Sequence, residues 1–165
     1  MNEPRVVLGI DPGTAITGYG LIKEQDNGDL VWLSHGVITT PGDWEEPQRL
    51  FHLYKSLLKV IQETNPSCCA VEKLFFQKNV KTALNVGQGR GAALIAIAEA
   101  GLPMGEYTPL AIKQAVVGYG KADKNQVQHM VKLLLGLDEI PQPDDAADAL
   151  AVAICHLHSS RRIVE

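Results

Sequence analysis

Val6-Val7-Leu8-Gly9-Ile10-Asp11, followed by Pro12-Gly13, decides how this chain is read. An apolar run that ends in a carboxylate describes a strand buried on both faces, and Pro12-Gly13 turns the chain immediately beyond it. The strand therefore delivers Asp11 to its C-terminal end. More than 130 residues later, Asp144-Asp145-Ala146-Ala147-Asp148 opens an alanine-rich helix. Its acids lie three or four residues apart, so they share one helix face. Carboxylates brought together from both ends of a chain repel, and they stay ionised only with cations between them. Mg²⁺ suits such a place, because it favours few carboxylates, several waters and substrate phosphates. The pattern points to a phosphoryl-transfer site.

Working outward, Ile16 to Lys23 and Leu30 to Thr39 read as two further strands joined at Asp26-Asn27-Gly28, and with the first they form a meander. Leu50, Leu53, Tyr54, Leu57, Leu58 and Ile61 have helical spacing, which predicts a helix from about Glu45 to Glu63, ended by Asn65-Pro66. Cys68-Cys69-Ala70-Val71-Glu72 is then a short apolar strand that ends in a carboxylate, as the first does. A strand after a long helix suits a right-handed crossover to a parallel neighbour of the first strand. A small-residue helix over Val80 to Ala100 and a brief strand near Met104 to Tyr107 follow. Thr108-Pro109 starts another helix, Gly118-Tyr119-Gly120 breaks it, and Asp123 to Leu135 and Asp144 to Ser159 supply the last two. The expectation is one α/β domain over residues 1–165, with a mixed five-stranded sheet: antiparallel meander, parallel later strands, flanking helices.

The composition is ordinary for a globular protein, with 45% hydrophobic and 21% charged residues. The chain opens into its first strand without a signal-peptide pattern, and three cysteines make no disulfide framework, so a reducing cytoplasm is expected. The net charge of −4 speaks superficially against nucleic acid, but its distribution does not. Residues 73–132 hold eight basic side chains (Lys73, Lys78, Lys81, Arg90, Lys113, Lys121, Lys124 and Lys132) against three acidic ones. A basic middle beside an acidic site is what a metal-dependent nuclease needs, cations for the backbone and carboxylates for the metal.

Each motif has a plainer reading. Asp11 before Pro-Gly alone is a turn residue, and Asp144 or Asp145 alone is a helix cap. Asp148 lies deeper in an alanine-rich face, where capping explains less, and Glu72 ends a strand at the edge where open α/β sheets form their sites. Gly87-Gln88-Gly89-Arg90-Gly91-Ala92 matches a dinucleotide fingerprint formally but lies inside a helix rather than after a strand, so its glycines are read as close-packing positions. Cys155-His156-Leu157-His158 lacks a partner cluster for zinc.

Six ordered blocks together resemble the RuvC family of Holliday-junction resolvases, within the ribonuclease-H-like nucleases. They are Gly9-Ile10-Asp11-Pro12-Gly13 with Thr17-Gly18-Tyr19-Gly20; Val71-Glu72; Leu84-Asn85-Val86-Gly87-Gln88-Gly89-Arg90-Gly91; Lys113-Gln114-Ala115-Val116-Val117-Gly118; Lys124-Asn125-Gln126-Val127-Gln128-His129-Met130; and Asp145-Ala146-Ala147-Asp148-Ala149-Leu150-Ala151. The resemblance implies a four-carboxylate site, Asp11, Glu72, Asp145 and Asp148, holding two Mg²⁺, with Mn²⁺ as a possible substitute. It implies that Phe75 stacks on a base and that Lys113 and Lys124 contact the scissile strand and assist catalysis. Lys78, Lys81, Arg90 and Lys121 of the basic segment are the further expected DNA contacts. It further implies four-way junction DNA as substrate, a homodimer, and partnership with a branch-migration motor. Geometry alone admits either Asp144 or Asp145 as the partner of Asp148; the motif favours Asp145. Gly9-Ile10-Asp11-Pro12-Gly13-Thr14 also resembles the phosphate loop of actin-like and sugar-kinase ATPases, which need a second domain that 165 residues cannot supply. A catalytically inactive DNA-binding member of the nuclease fold is the remaining alternative, and retention of all four acids argues against it.

Overall fold

The computed structural model describes residues 3–73 and 79–161. The meander expected from the sequence consists of β1 (Arg5–Asp11), β2 (Ile16–Glu24) and β3 (Leu30–Thr39), and helix α1 (Glu46–Thr64) follows it. Then come β4 (Cys68–Glu72), α2 (Val80–Glu99), β5 (Met104–Tyr107), α3 (Pro109–Val116), α4 (Lys124–Leu134) and α5 (Asp144–Arg161). The five strands form one sheet in the order β3-β2-β1-β4-β5. β1 pairs antiparallel with β2 and parallel with β4, and β5 runs parallel to β4.

Local chemistry sets the helix limits. Asn65 ends α1 in the left-handed conformation, with φ at 47°. Asn79 caps α2 by accepting from the backbone N–H groups of Lys81 and Thr82. Thr108 caps α3, and Asp123 with Gln126 forms a reciprocal capping box at the start of α4.

Strand alternation assigns the faces. Leu8 and Ile10, with Leu21, Ile38, Cys69 and Val71, pack against α1 and α2 through Leu53, Leu57, Ile61, Ala93, Ala96 and Ile97. Val7, Ile22 and Ala70 point the other way, toward Ile112, Val131, Leu150, Ile154 and Leu157 of α3, α4 and α5. The period of two then puts Asp11 on the face of Val7 and Glu72 on the face of Ala70, so both carboxylates face the α5 side. The alanines of α5 are explained by position: Ala146, Ala147, Ala149, Ala151 and Ala153 are buried, since this helix lies between the sheet and the other two helices. No helix among the described residues is long and apolar enough to cross a membrane.

Candidate active site

β1 and β4 run side by side with Ile10 opposite Val71, so Asp11 and Glu72 end adjacent strands. On the other side of β1, Asp11 pairs with Gly18 of β2. Glycine there is a spatial requirement. A Cβ at Gly18 would lie 1.9 Å from the carbonyl oxygen of Asp145, and one at Gly9 would lie 2.0 Å from that of Ala149. A Cβ at Gly20 would meet the Leu150 side chain at 2.5 Å. Three glycines on one sheet face thus let the backbone of α5 lie directly on β1 and β2, and its first turn arrives beside Asp11. Gly18→Ala is expected to push that turn away. We expect a protein that still folds, with a lowered Tm, and loses nearly all metal-dependent cleavage; unchanged cleavage would show that close approach of α5 is dispensable.

The turn after Asp11 is stapled locally. Thr17 is fully buried, and its hydroxyl donates to the Gly13 carbonyl at 2.6 Å while accepting from the Gly13 N–H at 3.2 Å. Thr17, part of the Thr17-Gly18-Tyr19-Gly20 block, thus acts through the backbone of the turn.

Opposite the strand ends, a cleft of about 300 Å³ is lined by Glu72, Lys113, Lys124 and Asp148, with Pro109, Ile112, Val127 and Ala151 as its apolar wall. Lys113 comes from α3 and Lys124 from the start of α4, so helices distant in sequence set two cations against the acids. Lys124 Nζ lies 3.1 Å from Asp144 and 3.9 Å from Asp148.

The electrostatics are those of crowded acids. Burial pushes the Asp11 carboxyl up from 3.8 to about 8, reinforced by the charges of Asp148, Glu72 and Asp145, with Lys124 opposing. Glu72 is also raised, by burial and then by Asp148, with Lys113 pulling it back. Asp148 is raised by burial, against the pull of Lys124. Asp144 behaves oppositely: it is held below the ordinary carboxylate range by hydrogen bonds from Lys124 and Gln128. This exposed residue therefore serves a surface network rather than capping α5, the role its position suggested. Asp145, with its carbonyl against Gly18 and its charge acting on Asp11, is the inner member of the pair.

An all-carboxylate donor set with hard oxygens fits Mg²⁺ or Mn²⁺. Among the described residues no three acids stand close enough to form a finished ligand set.

Of the expected DNA contacts, Lys81 and Lys121 are exposed, while Phe75 and Lys78 lie outside the described residues. Arg90 donates within the protein, to the Glu72 carbonyl at 2.6 Å and to Glu106 at 2.7 Å, because α2 points it inward across the ends of β4 and β5.

A mixed sheet in this order, with acids at the ends of its first and fourth strands and on the helix that crosses them, defines a ribonuclease-H-like nuclease. The family profile described as "Crossover junction endodeoxyribonuclease RuvC" matches residues 7–156. A protein of that description from Chloroflexus aurantiacus is 58% identical over 153 residues, covering 93% of both chains. One from Syntrophomonas wolfei is 56% identical over 155 residues, covering 94% of this chain and 90% of the relative. The structure described as Thermus thermophilus RuvC in complex with Holliday junction substrate superposes with a TM-score of 0.91 at 37% identity, covering 96% of each chain. The yeast mitochondrial Holliday junction resolvase shares the fold, with a TM-score of 0.67 at 15% identity, covering 96% of this chain and 81% of that one. The chain belongs to the RuvC family of crossover junction endodeoxyribonucleases.

Proposed function

We propose that this protein resolves four-way DNA junctions in recombination and repair, cutting two opposed strands by metal-dependent phosphodiester hydrolysis. The observation that carries this reading is a cleft lined by Glu72, Asp148, Lys113 and Lys124, with Asp11 ending the strand beside Glu72 and raised by the charges of Asp148, Glu72 and Asp145. The solved relative in complex with a junction supports the choice of substrate.

Asp11, Glu72, Asp145 and Asp148 would hold two Mg²⁺ or Mn²⁺ ions. When bound, such ions activate a water and stabilise the leaving oxygen of an in-line displacement. The chain's own groups do the rest. Lys113 and Lys124 are placed to offset charge building on the phosphate. Lys124, more than half exposed and paired with Asp144 and Asp148, lies where it can turn from those acids to a phosphate. Exposed Lys73, Lys81 and Lys121 extend the cation surface toward the duplex arms, and Phe75 is the residue assigned to stack on a base.

Two opposed nicks need two sites related by a two-fold axis, which a C2 homodimer supplies. The surface of α2 supports one. Val80, Leu84 and Ile95 are 72%, 61% and 61% exposed, and their spacing puts them on one stripe of the helix. Leu84→Asp is expected to yield folded monomers by analytical ultracentrifugation, with paired nicking lost. A dimer of undiminished stability would move the interface elsewhere.

Substrate selectivity tests the proposal. In Mg²⁺ the protein should nick a synthetic four-way junction and leave a linear duplex of the same sequence intact, with EDTA abolishing cleavage. Equal cutting of both substrates would make it an unselective nuclease.

A further inference from the structure

The middle of α2 touches both strand ends that carry acids. A Cβ at Gly89 would lie 2.8 Å from the Thr14 nitrogen and 2.9 Å from the Gly13 carbonyl carbon, so the helix rests directly on the turn after Asp11. Thr14 Oγ1 donates to the Asn85 carbonyl one turn earlier, at 2.9 Å. One residue beyond Gly89, Arg90 Nη1 donates to the backbone carbonyl of Glu72 at 2.6 Å. Its Nη2 meets Glu106 of β5 at 2.7 Å, and the Arg90 side chain is only 12% exposed. The Lys73 N–H donates to the Tyr107 carbonyl at 2.7 Å, so backbone and guanidinium together tie the end of β4 to β5.

We propose that Arg90 is a positioning residue for Glu72, a clamp that fixes the peptide carrying the carboxylate, with Glu106 holding the clamp in orientation. This rests on the metal-site reading given above. A guanidinium serves two acceptors in fixed directions at once, whereas a lysine ammonium on its flexible stem cannot hold the same fork. Burial strengthens both charge-assisted bonds and keeps the group off the DNA. The Glu72 carboxylate reaches into the cleft from a backbone position that Arg90 pins, so loosening the clamp relaxes the carboxylate's placement against Asp11 while the basic surface stays intact.

The test is calorimetric titration of the DNA-free, full-length protein with Mn²⁺, alongside junction binding in EDTA at several salt concentrations. Arg90→Gln and Arg90→Lys should each weaken Mn²⁺ binding by about 10–100-fold, the usual effect of removing a group that orients a metal ligand. Glu106→Gln should weaken it less, and metal-free junction affinity and its salt slope should not change. Should Arg90→Gln fail to fold, Arg90→Lys, which keeps the charge and the stem, carries the same expectation. Native Mn²⁺ affinity in the Arg90 variants overturns the clamp. So does a salt slope flattened by roughly 0.9, one duplex phosphate's worth, in Arg90→Gln and restored in Arg90→Lys. Glu72→Gln separates the two claims. If it binds Mn²⁺ as the native protein does, the metal-site reading itself fails; if it weakens binding and the Arg90 variants do not, only the clamp fails.

Discussion

Asp145→Asn should cut junction cleavage in Mg²⁺ by about 100-fold or more, while its neighbour Asp144→Asn should leave the rate close to native. Loss of a group that merely orients a metal ligand costs about 10–100-fold, so loss of a ligand costs at least the upper end of that range. The two acids differ in surroundings, not in chemistry. Asp145 lies where α5 rests on Gly18, directly across from Asp11, and adds to the charge that Asp11 feels. Asp144 is exposed and gives its oxygens to Lys124 and to Gln128, at 3.1 Å in each case. Asparagine keeps one of the two acceptor oxygens, so one of these exposed contacts is lost while the Asp145 carboxylate stays in place, and the rate changes little. Steady-state nicking rates of the two variants on one junction decide the matter, and the reverse ranking would move the ligand to Asp144.

Asp11→Asn should abolish cleavage and make the metal-free protein more stable. In the folded state the Asp11 carboxyl titrates at about 8, against 3.8 for the ordinary group, chiefly through burial and then through Asp148, Glu72 and Asp145. Between those two values the folded protein retains a proton that the unfolded chain has released. Stability therefore falls as pH rises through this window, and the full cost is present above the folded-state value. Asparagine carries no such cost. In EDTA at pH 8 the variant should exceed the native protein by more than about 1.4 kcal/mol, the worth of one pKa unit. The gap should close as pH falls toward and below 3.8, where the unfolded chain also takes up the proton. Mg²⁺ should raise the Tm of the native protein more than that of the variant. Thermal melts at the two pH values check the sign, and a variant less stable than native at pH 8 would show that Asp11 is not under strain from its neighbours.

Much of this site was legible because its acids end apolar runs. Asp11 closes β1 and Glu72 closes β4, and a helix between two such strands already implied that they are parallel neighbours. The carboxylate spacing at the start of α5 was equally plain. What the sequence hid depends on contacts between distant segments. Gly9, Gly18 and Gly20 read as ordinary strand glycines until α5 is laid on them, because nothing local tells a glycine that admits a helix from one that only weakens a strand. Arg90 counted as a basic residue of a basic segment, yet its acceptors are 18 and 16 positions away and turn it inward. Charge is written in the sequence; the partner that occupies it is not. Asp144 and Asp145 likewise each share a face with Asp148 by spacing, and only Lys124 and Gln128, which belong to α4, draw the first of them outward.

The central claim is that two such sites act together on one junction. The most direct measurement is cleavage of a supercoiled plasmid that extrudes a cruciform, followed by strand-resolved mapping of the cut positions. The expected result in Mg²⁺ is linear product with nicks at symmetric positions on opposed strands, and no cleavage of the same plasmid once relaxed. Nicked circles as the lasting product, or cutting that does not depend on the cruciform, would contradict paired resolution by a two-fold symmetric nuclease.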